Sequence, residues 1–150
     1  MKKILAMVAA ALVSACGGSS KDGGTPNTNP GEPNNTIAQA TQITAGTPIL
    51  GTISTDADVD VHKLTVPSGG ATVHIQTFDQ GGVNCDPTNE TVDTKIVVYD
   101  GAGTKVAESD DSGLIWCEDF DVTLGEGTNY VEVGGWPPIP FVYTLKVSIR

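Results

Sequence analysis

Short apolar runs, rich in β-branched residues, recur along residues 49–149 and are separated by turns that contain glycine, proline or aspartate. Within residues 71–78 the pattern alternates, with Val73, Ile75 and Thr77 on one face and mainly polar side chains on the other. This period of two is typical of a half-buried β-strand, and no long stretch has a helical period. The pattern predicts strands at residues 49–54, 61–66, 71–78, 96–99, 104–108, 120–124, 129–134 and 141–149. Short strands at such spacing indicate an all-β sandwich.

The clearest local signal is a β-hairpin formed by residues 96–99 and 104–108. The turn between these strands contains Gly101 and Gly103, and glycine supplies the positive φ that tight hairpin turns need. The second strand is followed by an acidic loop of small residues, 109–113. The second half of the chain follows the same order throughout, with strands joined by glycine turns and polar loops.

The N-terminus has the pattern of a secretory signal peptide, because two lysines precede an apolar run at residues 4–13 that ends in small residues. The run is too short to span a bilayer. Residues 13–16, Val-Ser-Ala-Cys, resemble the bacterial lipobox, which implies cleavage before Cys16 and lipidation of its thiol. Ordinary cleavage near Ala15 is the alternative, but it leaves an unexplained thiol on an exported protein. Gly17 stands where inner-membrane lipoproteins carry aspartate, which favours the outer membrane.

Composition divides the chain into three parts. Residues 1–15 are the predicted lipoprotein signal peptide, residues 16–31 a flexible, disordered tether rich in Gly, Ser, Thr, Asn and Pro, and residues 32–150 a single domain. Near the start of the domain, residues 37–43 fit either one helical turn or an irregular segment. We therefore expect a protein attached to the membrane of the cell envelope by its N-terminal lipid, either periplasmic or surface-exposed.

The charge of the chain limits its partners. Removal of the signal peptide leaves 6 basic residues against 18 acidic ones, a formal charge of −12. Such a surface disfavours nucleic acid, which is bound through basic patches. It suits solubility and divalent cations, although most of the individual acidic residues are explained simply as solvated surface.

Besides Cys16 the chain has two cysteines, Cys85 and Cys117, which lie 32 positions apart. In an exported protein, a disulfide between them is the favoured interpretation. A metal site built on two cysteines is the alternative. It is disfavoured because neither cysteine belongs to a CxxC motif or lies beside a histidine.

Five segments, taken in order, resemble the bacterial pre-peptidase C-terminal domain: residues 32–43, 51–66, 93–113, 124–135 and 143–147. The resemblance implies a jelly-roll-like antiparallel β-sandwich, often appended to secreted proteases and similar to the collagen-binding domains of bacterial collagenases. It further implies a non-catalytic module that assists secretion, stability or substrate attachment. Only the predicted signal peptide and tether precede the module here, so a peptidase activity would be inherited by association alone.

The resemblance also implies a calcium ion shared by the first loop of the domain and the acidic turn before the second predicted strand. Calcium takes six to eight oxygen ligands, and both segments are rich in carboxylates and amides. The residues that match by position are Glu32, Asn34, Asn35 and Asp58, with Asp56 and Asp60 as supporting candidates.

A second, weaker set of oxygen donors consists of Asp93, Asp110 and Asp111, with Ser112 nearby. These residues can coordinate a cation, but Asp and Ser also cap turns by accepting backbone N–H groups. We favour turn capping for this set.

The two histidines, His62 and His74, lie on predicted strands. His62 has the parity of Leu64 and Val66, so we expect it to be partly buried in the place of an aromatic residue that the family often has there. A ligand role for His62 is disfavoured. His74 lies on the outward parity and is predicted to be a surface residue. Because the chain also lacks HExxH, GxSxG and P-loop motifs, we predict that it is not an enzyme.

Trp136 lies in a proline-rich loop and is the aromatic residue most expected to be exposed. It can stack on a sugar or a proline-rich peptide, although covering a sheet edge is the simpler role.

The sequence therefore predicts a non-catalytic, calcium-stabilised module for adhesion or for accessory binding of an extracellular protein or polysaccharide. The alternative is an accessory partner of a separately encoded secreted protease.

Overall fold

The computed structural model describes residues 31–80, 82, 85, 92–113, 115–136 and 139–150. The predicted signal peptide, nearly all of the predicted tether and the predicted lipidation site Cys16 lie outside the described residues. None of the residues that are described forms a helix long and apolar enough to cross a membrane.

Within these residues the chain forms a 3-10 turn and a series of β-strands. The turn is Ile37–Gln39, and the strands are β1 (Thr41–Gln42), β2 (Ile49–Ile53), β3 (Asp60–Val66), β4 (Ala71–Asp79), β5 (Thr94–Tyr99), β6 (Lys105–Asp110), β7 (Asp119–Leu124), β8 (Gly127–Gly135) and β9 (Phe141–Ile149). Each strand predicted from the sequence is present, with its ends within two residues of the expected ones.

The strands form two sheets that pack face to face. One has the order β1-β3-β8-β5-β6 and the other the order β2-β9-β4-β7. Strands β3, β8, β5 and β6 pair antiparallel with one another in that order, as do β2, β9, β4 and β7. The predicted all-β antiparallel sandwich is therefore confirmed.

The alternation along each strand decides which side chains enter the core. In β4, Val73, Ile75 and Thr77 are buried, as the period of two predicted. Side chains from both sheets meet between the layers. They include Leu64, Ile96, Val98, Val131 and Val133 from the five-stranded sheet, and Ile53, Val73, Ile75, Tyr143, Leu145 and Val147 from the four-stranded sheet. Burying one such aliphatic side chain stabilises a fold by about 1.5–3 kcal/mol.

Two segments differ from the expected pattern. Strand β6 extends to Asp110, because Ser109 and Asp110 pair with Ile96 and Lys95 of β5, so the acidic loop begins later than predicted. At residues 37–43 the helical turn, one of the two predicted alternatives, is present as a 3-10 turn, but it is followed by the short strand β1, which was not predicted and pairs parallel to β3. Neither β1 nor the extension of β6 is indicated by the β-propensity of its residues. Both form because the neighbouring strand offers backbone groups for pairing.

The structure joins Cys85 to Cys117 in a disulfide, with their Cα atoms 6.0 Å apart. This distance lies within the range that a disulfide bond requires. Both cysteines are buried in the core cluster, and Cys117 lies two residues before β7. The bond ties the loop that follows β4 to the start of β7.

Candidate functional site

Three carboxylates meet at the edge of the five-stranded sheet where β3 begins. Oxygen atoms of Glu32, Asp58 and Asp60 lie within 4.8 Å of one another, close enough to hold one metal ion. Glu32 comes from the loop before the 3-10 turn, Asp58 from the turn between β2 and β3, and Asp60 is the first residue of β3. The β2–β3 connection and the N-terminal loop thus converge as the resemblance implied.

Hydrogen bonds hold two of these carboxylates in place. The backbone N–H of Asn34 donates to Glu32 at 3.1 Å. Asp58 accepts the backbone N–H of Ser54 at 2.7 Å and the side-chain amide of Asn35 at 3.3 Å. The loop and the turn are therefore joined directly, through Asn35 and Asp58.

Asn34 is the most informative residue of this group. It is fully buried, and neither Oδ1 nor Nδ2 has a hydrogen-bond partner among the described residues. Its backbone carbonyl accepts the N–H of Val61 at 2.8 Å, which fixes the residue against β3. A buried amide without a partner costs free energy. A side-chain amide oxygen is also a ligand that calcium accepts.

Asp60 is anchored from inside the core. It is fully buried, and its carboxylate accepts a 2.6 Å hydrogen bond from the Tyr143 hydroxyl. The same hydroxyl lies 3.1 Å from Nε2 of His62. Burial, and after it the charge of Asp60, holds the pKa of Tyr143 well above its usual range. Burial also lowers the pKa of His62 from its usual 6.5 to about 4. His62 is thus a neutral core residue, more deeply buried than predicted.

The six residues proposed from the resemblance therefore take different places. Glu32, Asp58 and Asp60 form the carboxylate group, and Asn35 is bonded to Asp58. Asn34, two residues after Glu32, is buried and donates its backbone N–H to the Glu32 side chain. Asp56 lines a cleft on the outer face of the sheet instead, together with Asp58.

The second predicted set also comes together. Carboxylate oxygens of Asp93, Asp110 and Asp111 lie within 4.8 Å of one another. Burial, followed by the charges of Asp111, Asp110 and Glu118, raises the pKa of Asp93 from its usual 3.8 to about 6. Asp111 has a φ of 65°, in the left-handed region where aspartate is tolerated. The carboxylates of this group therefore repel one another, at the point where β5 begins and β6 ends.

Glu118 organises this loop, a role that was not predicted from the sequence. Its buried carboxylate accepts the backbone N–H of Asp111 at 2.9 Å and that of Ser112 at 3.2 Å, and the hydroxyls of Ser109 and Ser112. The capping role expected of the aspartates is thus performed by a glutamate. Its parity with the apolar residues Phe120 and Val122 is the signal that could have revealed a buried carboxylate.

Trp136 directly follows β8 and is 53% exposed, the highest value among the large hydrophobic residues that the structure describes. It lines a cleft of about 390 Å³ on the outer face of the five-stranded sheet, opposite the turn that contains Asp56 and Asp58. His74, expected at the surface, is largely covered, and its Nδ1 lies 2.8 Å from Asp121 on the neighbouring strand.

No family model matches the chain, and no curated protein sequence matches it. One similar solved structure is the pre-peptidase C-terminal domain of a collagenase from Bacillus anthracis. The identity is 18%, over 73% of this chain and 94% of that domain, with a TM-score of 0.55. The fold resembles that of a pre-peptidase C-terminal domain.

A second similar structure is PliG from Aeromonas hydrophila, a periplasmic inhibitor of g-type lysozyme. The identity is 12%, over 74% of this chain and 96% of that chain, with a TM-score of 0.53. At such identities, the likeness to PliG and to the pre-peptidase C-terminal domain concerns the fold, and the roles of individual residues must be argued from this chain itself.

Proposed function

We propose that this chain is a calcium-stabilised, non-catalytic binding domain of the bacterial cell envelope, held there by lipid on Cys16. The observation that carries the calcium site is the buried side-chain amide of Asn34, which has no partner among the described residues. The backbone N–H of the same residue is bonded to Glu32, which forms the three-carboxylate group with Asp58 and Asp60. Three carboxylates in one place repel one another, and an amide oxygen without a donor adds a further cost. A divalent cation relieves both costs at once.

The ion would be held by Glu32, Asp58, Asp60 and the amide oxygen of Asn34, with backbone carbonyls and water completing its shell. Its role is structural. By joining the loop before the 3-10 turn to the start of β3, it fixes the point where the tether meets the domain.

Three observations support a non-catalytic role in an exported protein. The disulfide favours an oxidising compartment. His62 is buried against Tyr143 and His74 lies against Asp121, so both histidines have structural partners. The fold is also similar to a domain that accompanies a collagenase and to an inhibitor of an enzyme. We infer membrane attachment, lipidation and an outer-membrane location from the predicted signal peptide and from the sequence at Cys16.

The alternative function, an accessory partner of a separately encoded secreted protease, is favoured by the likeness to a collagenase domain. Pull-down from an envelope extract with the immobilised chain separates the two functions. A protease among the retained proteins supports the accessory role, whereas retention of a structural protein or a polysaccharide supports adhesion.

Thermal unfolding of the full mature chain, with Cys16→Ser to prevent lipidation, tests the calcium site. Calcium at about ten times its Kd is expected to add about 1.4 kcal/mol of stability, which corresponds to a rise in Tm of about 3–6 °C. Asn34→Ala and Asp58→Asn should abolish this rise. Asp93→Asn, in the second acidic group, is the matched control and should retain it. Identical melting curves with calcium and with chelator would refute the site, and loss of the rise only in Asp93→Asn would move it to the second group.

A further inference from the structure

We propose that the cleft beside Trp136 binds a peptide segment through an arginine or lysine side chain. This inference names the ligand chemistry of the proposed binding function and rests on that function, but it does not depend on calcium. It is drawn from the shape of the cleft, from an exposed indole ring and from the charges around them.

Part of the cleft floor is bare backbone, at Gly134. On β8, Glu132 and Gly134 lie on the outer face of the sheet, since Val131 and Val133 between them are buried in the core. A Cβ atom on Gly134 would have only one neighbour nearby, a methyl group of Val59 at 3.7 Å. A glycine inside a strand often marks a place where another molecule approaches the backbone closely. Here it leaves a recess of about 390 Å³, room for one or two side chains.

One wall of the recess is the indole ring of Trp136. Its backbone N–H donates to the carbonyl of Asp93 at 3.1 Å, which fixes the residue relative to β5 although its side chain is exposed. An exposed indole face attracts an ammonium or guanidinium group more strongly than any other aromatic side chain does. A fixed, exposed tryptophan beside a recess is therefore suited to a cationic side chain.

The charges around the recess are mainly negative. Asp56 and Asp58 line one side and Glu132 lines the floor. Glu132 is held in position by the Tyr99 hydroxyl, which donates to it at 3.0 Å. Among the described residues of the lining, Lys95 is the one basic side chain, and its ammonium group lies 2.5 Å from Glu108, which also pairs with Lys105. Three carboxylates of the lining thus face one ammonium group. A cationic ligand thus finds carboxylates on two sides of the recess, whereas an anionic ligand is repelled.

The apolar part of the lining suits the stem of such a side chain. Val59 and Val97 lie against the recess between the charged residues. Arginine and lysine bury their methylene groups on apolar surface while their charged ends remain near water or carboxylates. A neutral sugar can stack on the tryptophan and donate its hydroxyls to the carboxylates, but it gains no attraction from their net negative charge. For this reason we favour a basic peptide.

Fluorescence anisotropy with labelled peptides tests the inference. The full mature chain with Cys16→Ser is titrated with a short peptide of alternating arginine and glycine, and with matched peptides that carry lysine, glutamine or glutamate instead of arginine. We expect the arginine and lysine peptides to bind, with an affinity that falls as salt is added, and the glutamine and glutamate peptides not to bind. Asp58 also belongs to the candidate calcium site, so titrations are run with calcium and with chelator, and the same order of peptides is expected in both.

Three variants place the binding in the cleft. Trp136→Ala should weaken binding about tenfold, and Glu132→Gln about threefold with a smaller salt dependence. Gly134→Leu fills the recess without changing any charge and should abolish binding, with Tm measured to confirm that the protein is folded. Glu126→Gln removes one carboxylate at the opposite end of β8, in the β7–β8 turn, and should bind as the unsubstituted chain does.

Equal binding of the glutamine peptide, wild-type affinity in Trp136→Ala, or retention of a neutral oligosaccharide in place of the arginine peptide would overturn the inference. Its failure can be distinguished from failure of the calcium site. If calcium raises Tm but no basic peptide binds, the cleft assignment fails and the calcium site stands. If Asn34→Ala loses the calcium response and still binds the arginine peptide, the two sites are independent, as we infer.

Discussion

The hydroxyl of Tyr143 donates a 2.6 Å hydrogen bond to the carboxylate of Asp60, with both residues fully buried. Tyr143 belongs to β9 of the four-stranded sheet, and Asp60 begins β3 of the five-stranded sheet. The bond therefore crosses the sandwich and connects its core to the acidic edge. Because the Tyr143 proton points to Asp60, His62 must donate its Nε2 proton to the Tyr143 oxygen. This leaves Nδ1 of the neutral ring unprotonated, and it has no partner among the described residues.

Tyr143→Phe should destabilise the domain by about 1–3 kcal/mol, because it deprives a buried carboxylate of a donor and His62 of its acceptor. Urea unfolding measures this loss as a lower midpoint with an unchanged slope. Tyr130→Phe, which removes a hydroxyl from the half-buried outer face of β8, is the control, and its effect should stay within about 0.5 kcal/mol. Equal effects of the two substitutions would contradict a special role for the bond between Tyr143 and Asp60.

Gly51→Ala should be more damaging than its small size suggests. Gly51 lies opposite Tyr143 in the pairing of β2 with β9, and a Cβ atom there would overlap the Tyr143 ring. The ring cannot move away without breaking its bond to Asp60, so we expect a loss of about 1–3 kcal/mol from overpacking. Unfolding in urea provides the measurement.

Gly125→Ala is the matched control for that substitution. A Cβ atom at Gly125 would have no neighbour within 4 Å, and its φ lies outside the left-handed region. Its effect should be close to zero or slightly stabilising, because alanine restricts the unfolded chain. If both alanine variants unfolded at the same urea concentration, the packing of Gly51 against Tyr143 would not limit stability.

The contrast between Gly51 and Gly125 illustrates what the sequence can and cannot predict. The pattern of apolar and polar residues located strands β2 to β9, because that pattern is local and is imposed by burial of one face. It also placed His62 inside, through its parity with Leu64. It could not show that Gly51 faces Tyr143, or that Glu118 accepts the N–H groups of a loop, since these contacts join distant segments. The acidic edge was predicted from its residue types, but the separation of Asp56 from the other carboxylates depends on the exact path of one turn.

His62 should make the domain sensitive to acid. Its pKa is lowered from 6.5 to about 4 by burial, so between these values the unfolded chain binds a proton that the folded protein does not. The free energy of unfolding therefore rises with pH across this window, and it falls as the solution is acidified from pH 6.5 to 4. The shift corresponds to at most about 3 kcal/mol. Asp93 acts in the opposite direction, because its raised pKa favours the folded state at low pH.

His62→Gln isolates the contribution of the histidine. The glutamine amide can still donate to Tyr143 but does not titrate, so stability should fall less between pH 6.5 and 4 than in the unsubstituted chain, while the contribution of Asp93 is the same in both. Urea midpoints measured across this range provide the comparison. Parallel pH profiles for the two proteins would show that His62 is not the group responsible.

Glu118→Gln should loosen the loop after β6 without disturbing β7, which begins at the next residue. The backbone of Glu118 is fixed independently of its carboxylate, because its N–H donates to the Thr77 hydroxyl at 2.8 Å and its carbonyl accepts the N–H of Thr77 at 2.9 Å. The amide that replaces the carboxylate brings a donor to a place where two hydroxyls and two backbone N–H groups already donate. We expect a loss of about 1.5–3 kcal/mol, as for hydrogen bonds to a charged acceptor.

Hydrogen exchange distinguishes this loss from general destabilisation. The amides of Asp111 and Ser112 should exchange faster in Glu118→Gln, while the amides of β4 and β9 change only with global stability. Glu126→Gln is the control, because Glu126 also accepts a backbone N–H, that of Gly69 at 2.9 Å, and a serine hydroxyl, but it does so at an exposed position. Its effect should remain below about 1 kcal/mol. Unchanged exchange at Asp111 and Ser112 in Glu118→Gln would mean that the buried carboxylate does not hold the loop. The negative charge of Glu118 would then contribute nothing to the stability of the loop.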